Sequence, residues 1–190
     1  DLVEDLNIVS KLEYDSQPMN IETIQVVPFA RGIVADYLNT GIDVQYDLEF
    51  FDSPTVQECA IQGDERLLRR AVRNLIDNAM RHNGEGCKIA LSLDVEPSGM
   101  LAITVADNGR GCDTSRIGAL MAQASTPDAS YDAHGLGLTL VSRISIMHGG
   151  YVSFASEPGR GFTATMRIPA AMPQSEPTRP EQRESQANVR

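Results

Sequence analysis

At 190 residues with 42% apolar side chains, the chain suits one globular domain with a useful core, plus appendages. A net charge of −10 argues against the basic surface that nucleic-acid binding needs, yet allows a phosphate ligand held by backbone amides and one or two cations. Cys59, Cys87 and Cys112 are too scattered for a metal cluster and read as reduced cytosolic thiols, and no apolar run approaches the roughly 18 residues of a membrane span.

The chain opens on Asp1 without Met or a signal peptide, so it is expected to be a piece of a longer protein, whose upstream part could carry a membrane segment. Leu2, Leu6, Val9 and Leu12 stand at helical spacing, which predicts the end of a helix over residues 1–18 with its linker. "IETIQVV" alternates and is β-branched, predicting a strand. Pro28 then suits the first turn of a helix that Gly41 closes. "IDVQYDLEF" and "VQECAIQG" read as two strands, and Asp64 as the N-cap of a long helix. "CKIALSLDV" and "MLAITVAD" predict two more strands. A polar, small-residue loop follows from Asn108 to about His134, with a short helical piece near "RIGALMAQ". "LGLTLVSRISIMHGG" predicts a helix, and "YVSFAS" and "GFTATMRIP" a hairpin around "EPGRG". The polar, Pro-bearing residues 170–190 have little to bury and read as a disordered tail. The mixed order of about three helices and five to seven strands predicts an α+β two-layer sandwich over 19–169, one mixed sheet covered by helices on one face.

Three stretches carry chemistry. In "NLIDNAMRHN" the apolar residues from Leu67 to Met80 form one stripe, and Asn74, Asn78 and Arg81 fall along its edge. An Asn carbonyl suits Mg²⁺ that already carries phosphate oxygens, and a guanidinium suits the phosphates themselves; a solvated helix edge explains the pattern equally well. "DNGRG", Asp107 to Gly111, follows a strand directly: a carboxylate there can accept from an exocyclic amine, and Gly109 and Gly111 let backbone approach a flat ligand. Taken alone it is an ordinary turn. "HGLGL", His134, Gly135, Leu136, Gly137 and Leu138, opens a helix whose free amides favour phosphate, although a helix-entry turn would look the same.

In order, these motifs and the closing "GRGFTATMRIP" resemble the N, G1 and G2 boxes and final hairpin of the histidine kinase, gyrase, Hsp90 and MutL superfamily, from about Ile21 to Pro169. The chain looks most like the ATP-binding catalytic domain of a sensor histidine kinase, since "LNIVSKLEYD" is similar to the end of a dimerisation and phosphoacceptor helix. Asn74, moreover, stands where the ATP-hydrolysing branch has a Glu. An amide cannot accept the proton of an attacking water.

The resemblance implies a Bergerat-type sandwich that binds ATP and Mg²⁺. It implies that Asp107 takes the adenine amine with Gly109 and Gly111 beside the ring, and that Thr163 backs the adenine through water. Asn78 with Asn74 would hold Mg²⁺, Arg81 would contact phosphate, and His82 would sit near the sugar or phosphates. Gly135 and Gly137, within His134–Leu138, would offer amides to phosphate, and 110–134 would form a lid. The implied partners are the parent's phosphoacceptor domain and a response regulator, with no nucleic acid and no membrane contact. The lid reads "LMAQASTPDASYD" and lacks the F box; Phe162 and Ala164 also depart from the family order. His82, His134 and His148 do not stand in a phosphoacceptor setting, so the acceptor is expected on another domain. Rival readings on the same fold are an anti-sigma-type serine kinase, which would carry an acid at position 74, and a degenerate nucleotide-binding interaction module.

Overall fold

The computed structural model describes residues 18–41, 45–113, 115, 117–118 and 136–171. The expected N-terminal helix, most of the lid, His134, Gly135 and nearly all of the expected tail lie outside them; of the short helical piece expected in the lid, Ser115, Ile117 and Gly118 are described and helical.

Strand β1 (Glu22–Gln25) is shorter than the sequence pattern suggests, and helix α1 (Val26–Leu38) starts two residues before Pro28. Burial decides the boundary. Val26, Val27, Phe29, Ala30, Ile33, Val34 and Tyr37 all turn inward at helical spacing. Pro28 remains within the first turn, where its missing N–H costs nothing. Strand β2 (Asp47–Asp52) lies later than expected. The next predicted strand begins only at β3 (Ala60–Gly63): Val56 belongs to a 3-10 turn at Pro54–Val56, and Gln57, Glu58 and Cys59 connect the two. Ser53 and Thr55 hydroxyls both donate to Asp94, which holds that turn against the neighbouring strand.

Helix α2 (Glu65–His82), β4 (Lys88–Val95) and β5 (Met100–Asp107) follow the sequence expectation closely. So do helix α3 (Leu136–Met147), β6 (Tyr151–Ser156) and β7 (Phe162–Pro169). A five-stranded sheet runs in the order β2-β4-β5-β7-β6, and β1 and β3 form a separate two-stranded ribbon. Only the β2–β4 pair in the larger sheet is parallel. One face of that sheet, from Leu91 and Ile103 across to Met166, packs under the helices. The other face carries most of the sheet's polar side chains. Thr104 and Thr165 share a hydrogen bond of 3.1 Å, and Arg167 reaches Glu96 and Ser153. That asymmetry is what a one-side-covered antiparallel sheet requires. Among the described residues no helix is long and apolar enough to cross a membrane.

Two helices aim at the candidate site, and one buried network sets their ends. Asp64 is 1% exposed and accepts from the amides of Arg66 and Leu67, as an N-cap should. It also accepts from Asn20 N–H, where the chain enters the domain. Burial pushes its carboxyl up, but the Asn20 and Leu67 amides and the Arg66 guanidinium outweigh that and hold it below the usual range. The Asp64 amide in turn donates to His148 Nε2 at 3.0 Å, just past the end of α3. His148 Nδ1 therefore carries the proton and donates to Ile144 O at 2.7 Å. His148 is thus a neutral structural histidine.

Burial drives the His148 pKa down, against the Ile144 carbonyl and the Asp64 charge. The sign follows from linkage. Below about pH 6.5 the unfolded chain takes up a proton at this histidine before the folded chain does. Folding stability should therefore be insensitive to this group above that pH, and should fall as pH drops toward the lowered folded value. Urea titrations of wild type and His148→Gln between pH 8 and 5 check this. The variant should be less stable at pH 8 and lose less on acidification; parallel curves would remove the assignment.

Candidate functional site

Helix α2 carries Asn74, Asn78 and Arg81 along the edge of its buried stripe, which Leu68, Ala71, Val72, Leu75, Ile76 and Ala79 form. Asn74 and Asn78 are half-buried, while Arg81 is exposed. The side-chain nitrogen of Asn74 is buried and has no hydrogen-bond partner among the described residues. An amide in that position costs free energy unless something accepts from it. Across from it is the start of α3: a Cβ on Gly137 would stand 3.7 Å from Asn74 Oδ1. The N box and the second Gly of the G2 box therefore face each other. Leu138 is buried in the core, so its role is packing. Leu136 begins the helix.

Strand β5 delivers Asp107 half-buried at its end. Gly109 N–H donates to Asp107 Oδ1 at 2.9 Å and Phe162 N–H at 3.3 Å. Both bonds use the same oxygen, and Oδ2 takes none among the described residues. The next residue, Asn108, accepts from Lys88 N–H at 2.8 Å and from the Cys87 thiol. It pins the turn to β4.

The two glycines of "DNGRG" have packing reasons. The room that Gly109 leaves is filled by the Asn83 carboxamide, since a Cβ there would lie 1.7 Å from Asn83 Oδ1. Gly111 has φ +60, and its Cβ would lie 2.1 Å from Glu157 O in the β6–β7 turn. Gly159 N–H donates to Arg110 O, and Cys112 N–H to Ser156 Oγ, so the hairpin grips this loop. Among the described residues, protein atoms thus occupy the room that these two glycines leave. Thr163 is not brought to the carboxylate. It pairs with Ala106, and strand alternation puts both on the open face of the sheet, opposite the face that carries Val105. Its neighbour Phe162 supplies the amide that reaches Asp107.

A cleft of about 350 Å³ opens between the end of α2 and the Asp107 turn, with His82 and Asn83 on one side and Asn108, Gly109 and Arg110 on the other. Half-buried His82 thus lies beside the Asp107 loop. Sequence reasoning missed Asn83, whose polar side chain at a helix end reads only as a terminator. Among the described residues no group of three His, Cys, Asp or Glu side chains could hold a metal ion. A divalent cation here would need the oxygens of a ligand in addition to an Asn carbonyl.

Among the described residues, the geometry is an unpartnered buried amide facing a helix start, and a strand-end carboxylate with one oxygen tied back and one without a partner. Residues 63–172, more than half of the chain, match the family described as histidine kinase-, DNA gyrase B-, and HSP90-like ATPase. The chain belongs to this ATPase family. Sensor histidine kinase YvrG of Bacillus subtilis (strain 168) is 29% identical over 169 residues, covering 87% of this chain and 28% of its own length. Sensor histidine kinase RcsC of Escherichia coli (strain K12) is 31% identical over 175 residues, covering 88% of this chain and 18% of its own length. The chain therefore spans under a third of the length of either relative. Among solved structures, the catalytic domain of histidine kinase ThkA superposes with a TM-score of 0.66 at 18% identity, covering 80% of this chain and 98% of that one. Full-length ShkA in complex with AMPPNP gives 0.75 at 23% identity, covering 90% of this chain and 36% of that one. The shared fold is the expected α+β sandwich.

Proposed function

We propose that this ATPase-family chain is the cytoplasmic, ATP-binding catalytic part of a two-component sensor histidine kinase, and that it presents ATP to a histidine on a separate domain. The observation that carries the reading is Asp107. Two backbone amides fix one carboxylate oxygen, which leaves the other as a pre-oriented acceptor for an adenine amine. The names of the similar full-length proteins support the sensor-kinase branch. A response regulator would be the next acceptor.

Asn78, with Asn74 assisting, would hold Mg²⁺ through side-chain oxygen, and Arg81 would meet the phosphates. Mg²⁺, when bound, neutralises phosphate charge. The chain's own residues orient the nucleotide: Asp107 at the base, His82 beside it, and the α2 edge and the start of α3 along the phosphates. Asn74 holds no proton-accepting carboxylate, so water is left unactivated and hydrolysis should be slow. That residue also argues against the serine-kinase reading. The lid sequence, without its F box, favours a second reading: a domain that holds nucleotide without transferring phosphate.

Replacing Asn78 by Ala should weaken ATP binding in the presence of Mg²⁺ by about tenfold, the value of one charge-assisted contact, and change binding in EDTA far less. Paired calorimetric titrations read the difference directly. Equal losses in both buffers would make Asn78 a structural residue.

A further inference from the structure

We propose that Asn83 is a positioning residue that holds the base-side anchor Asp107 at a set distance from the phosphate-side edge of α2. This rests on the nucleotide reading above and goes beyond the boxes that define it.

Asn83 is the C-cap of α2, where the backbone turns extended and its N–H donates to Met80 O. Its side chain spans two elements. Nδ2 donates to Ala79 O at 2.8 Å, satisfying a carbonyl that the helix end leaves unpaired. Oδ1 accepts from Arg110 N–H at 3.3 Å, on the loop that follows Asp107. Between these bonds the carboxamide lies against Gly109, close enough that a Cβ there would fall 2.2 Å from Asn83 Cγ. One amide thus links the helix that bears Asn74, Asn78 and Arg81 to the turn that bears Asp107. Asn83, Gly109 and Arg110 all line the cleft. A ligand that touches both ends gains from a preset spacing, because the ordering cost is met before it binds. A ligand that touches only one end gains nothing.

That difference is the test. The 190-residue chain is titrated with ATP plus Mg²⁺ and, separately, with adenosine, which engages only the Asp107 end. Asn83→Ala should weaken ATP·Mg²⁺ by about tenfold and adenosine by less than about twofold. Gly109→Ala should weaken ATP·Mg²⁺ further, because its methyl must displace the carboxamide. The pair Gly109→Ala with Asn83→Ala should return to the level of Asn83→Ala alone, because the space is then vacant. Equal losses for both ligands in Asn83→Ala, no loss for either, or strictly additive losses in the pair would each overturn the proposal. A wild-type chain that binds neither ligand overturns the nucleotide reading, and this inference with it.

Discussion

Asp107→Asn should cost about ten- to a hundredfold in ATP affinity, roughly 1.5–3 kcal/mol, while leaving the fold intact. The substitution is nearly isosteric, and the geometry fixes which way it acts. Gly109 and Phe162 both donate to Oδ1, so the new amide must keep its oxygen there. Its NH₂ then occupies the place of Oδ2. An acceptor becomes a donor where the adenine amine is also a donor. Thermal unfolding of the variant should match wild type within about 0.5 kcal/mol, as for substitutions that break no internal contact. Calorimetry that finds equal ATP affinity would remove Asp107 as the base anchor.

Gly161→Ala should be among the most damaging single changes in the domain. Gly161 has φ +86, and a Cβ on it would lie 1.8 Å from the Asp107 carbonyl oxygen and 2.7 Å from its carbon. Those are backbone atoms, so no side chain can rotate away. The left-handed conformation alone costs about 1–2 kcal/mol for an L-residue. Forcing β7 from the end of β5 adds to it, for a total of about 3 kcal/mol or more. The same displacement breaks the Phe162–Asp107 bond, so ATP binding should fall with stability. Gly159 is the internal control. It has φ +77 but nothing within 4 Å of its Cβ position, so Gly159→Ala should cost only the conformational part. Urea unfolding of both variants decides it, and equal midpoints would contradict the packing argument.

The parts legible in the sequence are those where a local signal and burial agree. Asp64 before an eighteen-residue stripe marks α2 unambiguously, and the alternation of Ile89, Leu91 and Leu93 against Leu101, Ile103 and Val105 marks a hairpin. The β1–α1 junction was illegible because Val26 and Val27 suit either element, and only their burial beside Phe29 and Ala30 chooses the helix. In the site, Asp107 and the α2 edge could be read from motif order. Asn83 could not, because its meaning depends on Gly109, 26 positions away in a different element. Thr163 lies on the face opposite Val105 through strand phase alone, and one residue of phase in a sheet is the difference between two faces. The Asp64–His148 bond joins residues 84 positions apart and has no local signature.

Phosphoryl transfer tests the central claim most directly. The chain is incubated with γ-labelled ATP and Mg²⁺, alone and then with the phosphoacceptor domain of its own parent protein. His148 is buried and bonded on both ring nitrogens, and His82 sits in the cleft, so the chain alone should acquire no acid-labile label. With the acceptor domain, label should appear on that domain, inefficiently, because separate domains lack the roughly millimolar effective concentration of a tether. Label on the isolated chain, or ATP binding without any transfer, would contradict the account.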